Sequence, residues 1–274
     1  MIDWFEALVL GVVQGATEYL PVSSSGHLVL FQHLFGVSEP VLLFDIVLHV
    51  ATLIVVLWFY RRDVVDLLQQ SWTAAAEMTR GSSWSTVQQS HPGFRLAWLI
   101  VVGTLPTAVI GVALQDTFER LFGSLATVGV MLWVTGSLLL VTRWTGKGAR
   151  GVREMRLSDA LLIGLIQGLA ITPGISRSGS TIALALLLGI ERKTAARYSF
   201  LLSVPSVVGA LLLEVGDSGS GVGAGITVLG FLAALVTGYA CLVFLVKVVD
   251  RGRLAWFAPY CFVIGGLALY LAGD

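Results

Sequence analysis

Glu18, Ser24, His27 and Arg177 suit phosphate chemistry, and each lies in an otherwise apolar stretch of the chain. Gln14 and Glu18 are four residues apart and so share one helix face. An acid at membrane depth is functional by default. A carboxylate beside an amide oxygen suits a hard cation such as Mg2+ or Ca2+, with substrate phosphate completing the ligand set. Gln14 and Glu18 are therefore the candidate metal ligands. Ser23, Ser24, Ser25 and Gly26 follow Pro21 and precede His27. Serine and glycine ahead of an apolar run mark a helix start, whose free N–H groups and dipole favour phosphate. A serine near a histidine also fits a nucleophile with its general base. Arg177 sits between Ser176 and Ser178, just ahead of Gly179, Ser180 and Thr181. A guanidinium in mid-membrane is costly unless paired, so it needs an anion. Glu18 can serve at rest, and a phosphate, which Arg binds bidentately, during turnover.

These residues fall in two stretches that resemble each other. Shifted by 153 residues, Gly11/Gly164, Gln14/Gln167, Gly15/Gly168, Ser23/Ser176, Ser25/Ser178 and Gly26/Gly179 are identical. A duplicated pair of interrupted helices points to a site at the interface of two membrane repeats. Two converging helix starts make Ser23, Ser25, Gly26, Ser176, Ser178, Gly179 and Thr181 the expected phosphate-binding set.

The elements that must position them are membrane helices. The chain has 274 residues, 56% hydrophobic and only 12% charged, with a mean hydropathy of +0.86. Soluble domains average about 25% charged residues. The formal net charge is zero, so bulk electrostatics offers nothing to nucleic acid. Cys241 and Cys261 lie in apolar runs and imply no disulfide framework. Early Asp3 and Glu6, without a basic lead or a cleavage site, argue against a signal peptide.

A spanning helix needs about 20 mostly apolar residues. Residues 41–60, 94–114, 123–142, 199–215, 225–249 and 255–272 qualify. Residues 2–20, 27–37, 157–172 and 180–190 are too short or too polar, and read as two re-entrant hairpins. Each half is then one hairpin plus three spans, 1–145 and 154–274. Three is odd, so the second half is inverted. On that map every Lys and Arg except Arg120 and Arg177 falls on one side, the positive-inside signature of the cytoplasmic face. Both termini are then expected on the periplasmic side. The hairpin tips enter from opposite faces, and irregular backbone at that depth must line a polar cavity or lie buried in protein. The expected fold is thus all-α, six spans and two re-entrant hairpins in an inverted-topology repeat. Asp45 and His49, also four apart, either face the cavity or pair with each other. His33 and His91 look peripheral, Pro106 and Pro205 are expected to kink their spans, and residues 64–72 suggest a surface helix.

The run from Gln14 through Glu18, Pro21 and Ser23-Ser24-Ser25-Gly26 to His27 resembles the first signature of the bacterial undecaprenyl pyrophosphate phosphatase family, the bacitracin-resistance type. Pro173-Gly174-Ile175-Ser176-Arg177-Ser178-Gly179-Ser180-Thr181 resembles its second. The resemblance covers nearly the whole chain. It implies hydrolysis of undecaprenyl pyrophosphate to the monophosphate carrier used in cell-wall synthesis. It also implies dependence on a divalent metal, and an inner-membrane site open to the periplasmic side. Glu18 would be the essential acid, Ser24 and His27 the nucleophile and base (or His27 the nucleophile), and Arg177 the phosphate clamp. Gln14 stands where many members carry glutamate and others glutamine, which leaves one carboxylate there. The implied partners are a polyprenyl pyrophosphate, membrane lipid and a second copy of the chain, with no nucleic acid. Inverted repeats with broken helices also suit a lipid flippase or transporter, which is the alternative.

Overall fold

A computed structural model describes residues 2–35, 42–214 and 223–273. These form thirteen α-helices: α1 (Trp4–Tyr19), α2 (Ser24–Leu34), α3 (Leu42–Phe59), α4 (Arg61–Thr79), α5 (Trp84–Ser90), α6 (Pro92–Ala113), α7 (Gln115–Phe122), α8 (Leu125–Val141), α9 (Leu157–Leu169), α10 (Arg177–Leu187), α11 (Arg192–Glu214), α12 (Ala224–Asp250) and α13 (Ala258–Leu271). Among the described residues five helices, α6, α8, α11, α12 and α13 with its 3-10 lead-in, are long and apolar enough to cross a membrane. α3 makes a sixth, ending where the chain bends by 72° into α4. Their outward faces carry Val109, Val236 and Val263, each at least 66% exposed. Such a surface belongs in lipid, so this is an all-α integral membrane protein. Most of the expected connection at 216–224, and the ends of the 27–37, 41–60 and 199–215 segments, lie outside the described residues.

The short pairs return to the end at which they enter. Ile2 and Ala7 from the start of α1 share one apolar cluster with Phe31 and Phe35 at the end of α2 and Phe44 at the start of α3. At the opposite end, Arg150 pairs with Asp159 in the first turn of α9 and donates to the Leu188 carbonyl just past α10. The same end holds Arg197 on Asp63 at 2.6 Å, Arg95 on the Val152 and Met155 carbonyls, and Arg192 on the Asp250 carbonyl. The basic segments grouped by the charge pattern therefore do share one end of the molecule.

Packing exchanges partners between the halves. α1 lies along α12 and α9 along α6, and the repeated glycines are the reason. A Cβ on Gly11 would meet the Gly230 carbonyl at 2.4 Å, and one on Gly164 the Gly103 carbonyl at 1.9 Å. Only glycine permits backbones so close. At the tips, Gly26 packs on Gly174 and Gly179 on Pro21, with the added Cβ at 3.1 and 3.0 Å. Residues 21 and 174 occupy equivalent places in the two stretches, so one contact is the other with the halves swapped.

Three details differ from the sequence expectation. α2 and α10 begin at Ser24 and Arg177, a turn earlier than the apolar runs suggest, because Ser23 and Ser176 take the N-cap positions. Pro106 and Pro205 lie, as expected, inside spanning helices, α6 and α11. α7 carries Asp116, Glu119 and Arg120 within eight residues, and its polarity hid it from a search for apolar runs. The surface helix expected at 64–72 is longer, occupying all of α4.

Candidate active site

The two tips meet at an ion pair. Glu18 lies one residue before the end of α1, and Arg177 is the first residue of α10. Arg177 Nη2 donates to Glu18 Oε1. The other carboxylate oxygen, Oε2, accepts from Ser24 Oγ at 2.7 Å and from Gln14 Nε2 at 3.1 Å. Glu18 is 8% exposed and Gln14 fully buried, whereas a quarter of the Arg177 side chain remains open. The pair opens into a narrow cavity between α3 and α11, whose walls pass from Thr52 and Ser203 to the apolar Leu53, Val56 and Val207. The cavity volume is about 10 Å³, room for about one water.

The serines divide the labour. Ser23 Oγ accepts from Gly26 N at 3.3 Å, capping α2, and from Gly174 N at 3.1 Å, tying the first tip to the second. Ser176 Oγ accepts from Gly179 N at 3.1 Å, capping α10. Ser25 lies 3.3 Å from Ser23 Oγ and Ser178 lies 3.3 Å from Ser176 Oγ. Thr181 Oγ1 donates back to the Arg177 carbonyl at 2.8 Å. Gly26 and Gly179 thus give their N–H groups to the caps, and the first-turn donors ahead of them remain for an anion. Ser23 has φ +70°, the single non-glycine in the left-handed region among the described residues. Such strain costs roughly 1–3 kcal/mol and persists where surroundings over-determine it. Glycine would relieve the angle and lose both cross-tip and cap bonds.

His27 is held away from Ser24. Its Nδ1 donates to the Ser23 carbonyl at 2.8 Å, which leaves Nε2 to accept from the Tyr260 hydroxyl at 2.9 Å. The serine expected to give its proton to His27 is instead bonded to Glu18. Tyr260, from α13, has no sequence signal: it is one aromatic in an apolar span. Tyr260→Phe is expected to lower stability by about 1–3 kcal/mol by leaving a buried acceptor unmet. Thermal unfolding in detergent checks this, and an unchanged midpoint would show that the hydroxyl does not hold His27.

His49, from α3, also joins the centre. Its Nδ1 donates to the Asp45 backbone carbonyl at 2.8 Å, and its Nε2 lies 4.0 Å from Glu18 Oε2. His49 thus turns Nε2 toward Glu18, and the Asp45 carboxylate accepts from Gln32 at 3.0 Å. His91 pairs with Glu77 at 3.1 Å, far from the tips in sequence and at the basic end. Thr135, unsuspected, clasps the second tip by donating to the Gly174 carbonyl at 2.8 Å and accepting from Ser176 N at 3.0 Å.

Among the described residues there is no cluster of three His, Cys, Asp or Glu side chains. Gln14 Oε1, however, is a buried oxygen without a partner, on the amide that touches Glu18. One carboxylate and one orphaned amide oxygen fit an oxygen-seeking divalent cation whose remaining ligands come with a phosphate.

Fold and centre define a polytopic membrane protein whose two interrupted stretches meet at a buried, hydroxyl-lined ion pair. The family model described as bacitracin resistance protein BacA matches residues 7–267, and the chain belongs to that family. It is 48% identical over 268 residues to a protein of Desulfosudis oleivorans, covering 97% of each chain. It is 45% identical to one of Desulfatibacillum aliphaticivorans over 98% of each, and 40% identical to one of Methanosphaera stadtmanae over 99% of each. All three relatives carry the name undecaprenyl-diphosphatase.

Proposed function

We propose that the protein hydrolyses undecaprenyl diphosphate to undecaprenyl phosphate and inorganic phosphate. The observation that carries the reading is the Ser24 hydroxyl donating to Glu18 at 2.7 Å beside Arg177. A serine with a base in hydrogen-bond contact is an activated nucleophile, and a guanidinium next to it suits a phosphoryl group. In this reading the diphosphate displaces Glu18 from Arg177. Ser24 Oγ attacks the terminal phosphorus while its proton passes to Glu18. The bridging P–O bond breaks, undecaprenyl phosphate leaves, and water then releases phosphate from the serine. His27, donating to the Ser23 carbonyl, fixes the turn that presents Ser24. A divalent cation, Mg2+ or Ca2+, would be held by Glu18 and Gln14 and would offset the negative charge of the diphosphate. The apolar cavity walls of α3 and α11 suit the start of the prenyl chain.

The same reading puts the protein in the bacterial inner membrane with its basic end cytoplasmic, both termini periplasmic and the site served from the periplasmic side. There it would return the lipid carrier to peptidoglycan synthesis and confer bacitracin resistance. Residues 1–145 and 154–274 would be the two inverted repeats of one membrane domain.

Phosphate release from undecaprenyl diphosphate by the purified protein in detergent tests the reading. Release with Mg2+ or Ca2+, its loss with EDTA, and a fall of at least a hundredfold in Ser24→Ala are expected. No release from folded protein with either metal would move the reading to a lipid flippase or anion transporter.

A further inference from the structure

His49 Nε2 and Glu18 Oε2 face each other across 4.0 Å. The Asp45 carbonyl, 2.8 Å from His49 Nδ1, can only accept, so Nδ1 carries a proton, and in the neutral ring Nε2 presents a lone pair. Glu18 Oε2 is also an acceptor. A divalent ion between them would meet both. Their separation is too long for a direct hydrogen bond, which spans about 2.7–3.2 Å. It lies within the roughly 4.2 Å that two coordination bonds of about 2.1 Å reach end to end. A third acceptor joins if the Gln14 amide turns over: its Nε2 donates to the same Glu18 oxygen at 3.1 Å, and its buried Oε1 has no partner. Arg177 occupies the other oxygen, Oε1, while Oε2 takes Ser24 Oγ and Gln14 Nε2, which a bound ion would displace. Histidines that bind metals typically give their second N–H to a backbone carbonyl, which fixes the ring, and His49 does so. A third of its side chain is exposed, so an ion has a way in.

We propose that Glu18, Gln14 and His49 form one divalent-cation site, with His49 as a nitrogen ligand supplied by a spanning helix rather than by either hairpin. The nitrogen sets its preference. Mg2+ and Ca2+ favour all-oxygen shells, whereas imidazole suits later, softer divalent ions. Mn2+, which shares the carboxylate and carbonyl ligands of Mg2+ and Ca2+, is the probe for that nitrogen in the same site. The proposal rests on the phosphatase reading for the use of the ion, but binding can be read without turnover.

The experiment adds Mn2+ alone to the purified full-length protein in detergent. Loss of the free Mn2+ EPR signal gives affinity, and pulsed EPR reports 14N coupling to bound Mn2+. The wild type is expected to bind one Mn2+ with 14N coupling. His49→Gln should lose the coupling and bind about tenfold more weakly, and Glu18→Gln should not bind. Coupling that survives His49→Gln, wild type that binds Mn2+ without coupling, or folded wild type that binds none would each overturn the proposal. The wild-type spectrum decides even where a variant does not fold. Phosphate release without 14N coupling would sink the ligand assignment and spare the phosphatase. Coupling without release would do the reverse.

Discussion

Glu18→Gln and Arg177→Met are each expected to destabilise the protein by about 3–5 kcal/mol, while the double variant regains most of that loss. Each single change leaves one charge at membrane depth without its partner. In Glu18→Gln the guanidinium is stranded. In Arg177→Met the carboxylate keeps only neutral donors, Ser24 and Gln14. The double change removes both charges and keeps the volume. Activity should follow a different pattern. All three variants should lose phosphate release by about a hundredfold or more, because the clamp and the base are gone whether or not the fold recovers. Unfolding midpoints in detergent, read beside initial rates, separate the two roles. A stable double variant that still releases phosphate would make the pair a structural staple, and the chemistry would have to be sought elsewhere.

Why the sequence revealed the tips so clearly, and the site less so, follows from the repeat itself. The six shared positions were the visible signal, and the structure assigns most of them to architecture. Gly11, Gly15, Gly164 and Gly168 admit a neighbouring backbone or side chain. Ser23 and Ser176 cap helices, and Gly26 and Gly179 donate to those caps. The residues to which the proposed function gives chemistry lie where the two stretches differ: Glu18 corresponds to Ile171, Ser24 to Arg177 and His27 to Ser180. The exchange of halves brings Glu18 and Ser24 from one tip against Arg177 from the other, so two unlike inserts on one skeleton complete a single centre. Apolar length and charge marked the spans, because the bilayer sets both. The partners of the site were less legible. Thr135 and Tyr260 lie 42 and 83 residues from Arg177 in sequence and 108 and 233 from His27, and nothing local distinguishes them from packing residues. His49 showed only a spacing from Asp45. Which nitrogen of His27 was free, and which base Ser24 would meet, depended on hydrogen bonds that no residue pattern encodes.

Gly164→Ala is expected to abolish recovery of monodisperse folded protein, and Gly11→Ala to behave alike, although the two residues lie 153 positions apart. The added Cβ would stand 1.9 Å from the Gly103 carbonyl in one case and 2.4 Å from the Gly230 carbonyl in the other. Both obstacles are helix backbone, which cannot swing aside as a side chain does, so the helices themselves must separate. Ordinary overpacking costs about 1–3 kcal/mol, and forcing two helices apart along a glycine seam should exceed that. The loss would reach the site directly. α1 carries Gly11 and Gly15 on the seam with α12, and Gln14 and Glu18 beside them. An outward shift of α1 draws Glu18 off Arg177, and about 1 Å of misplacement costs about a hundredfold in rate. Gly266→Ala, where an added Cβ meets nothing within 4 Å, should leave elution profile and unfolding midpoint unchanged. Equal damage from the first two substitutions, with this third one silent, is the outcome required if the two seams do the same work in opposite halves. A folded, active Gly164→Ala protein would show that α9 does not need its close approach to α6.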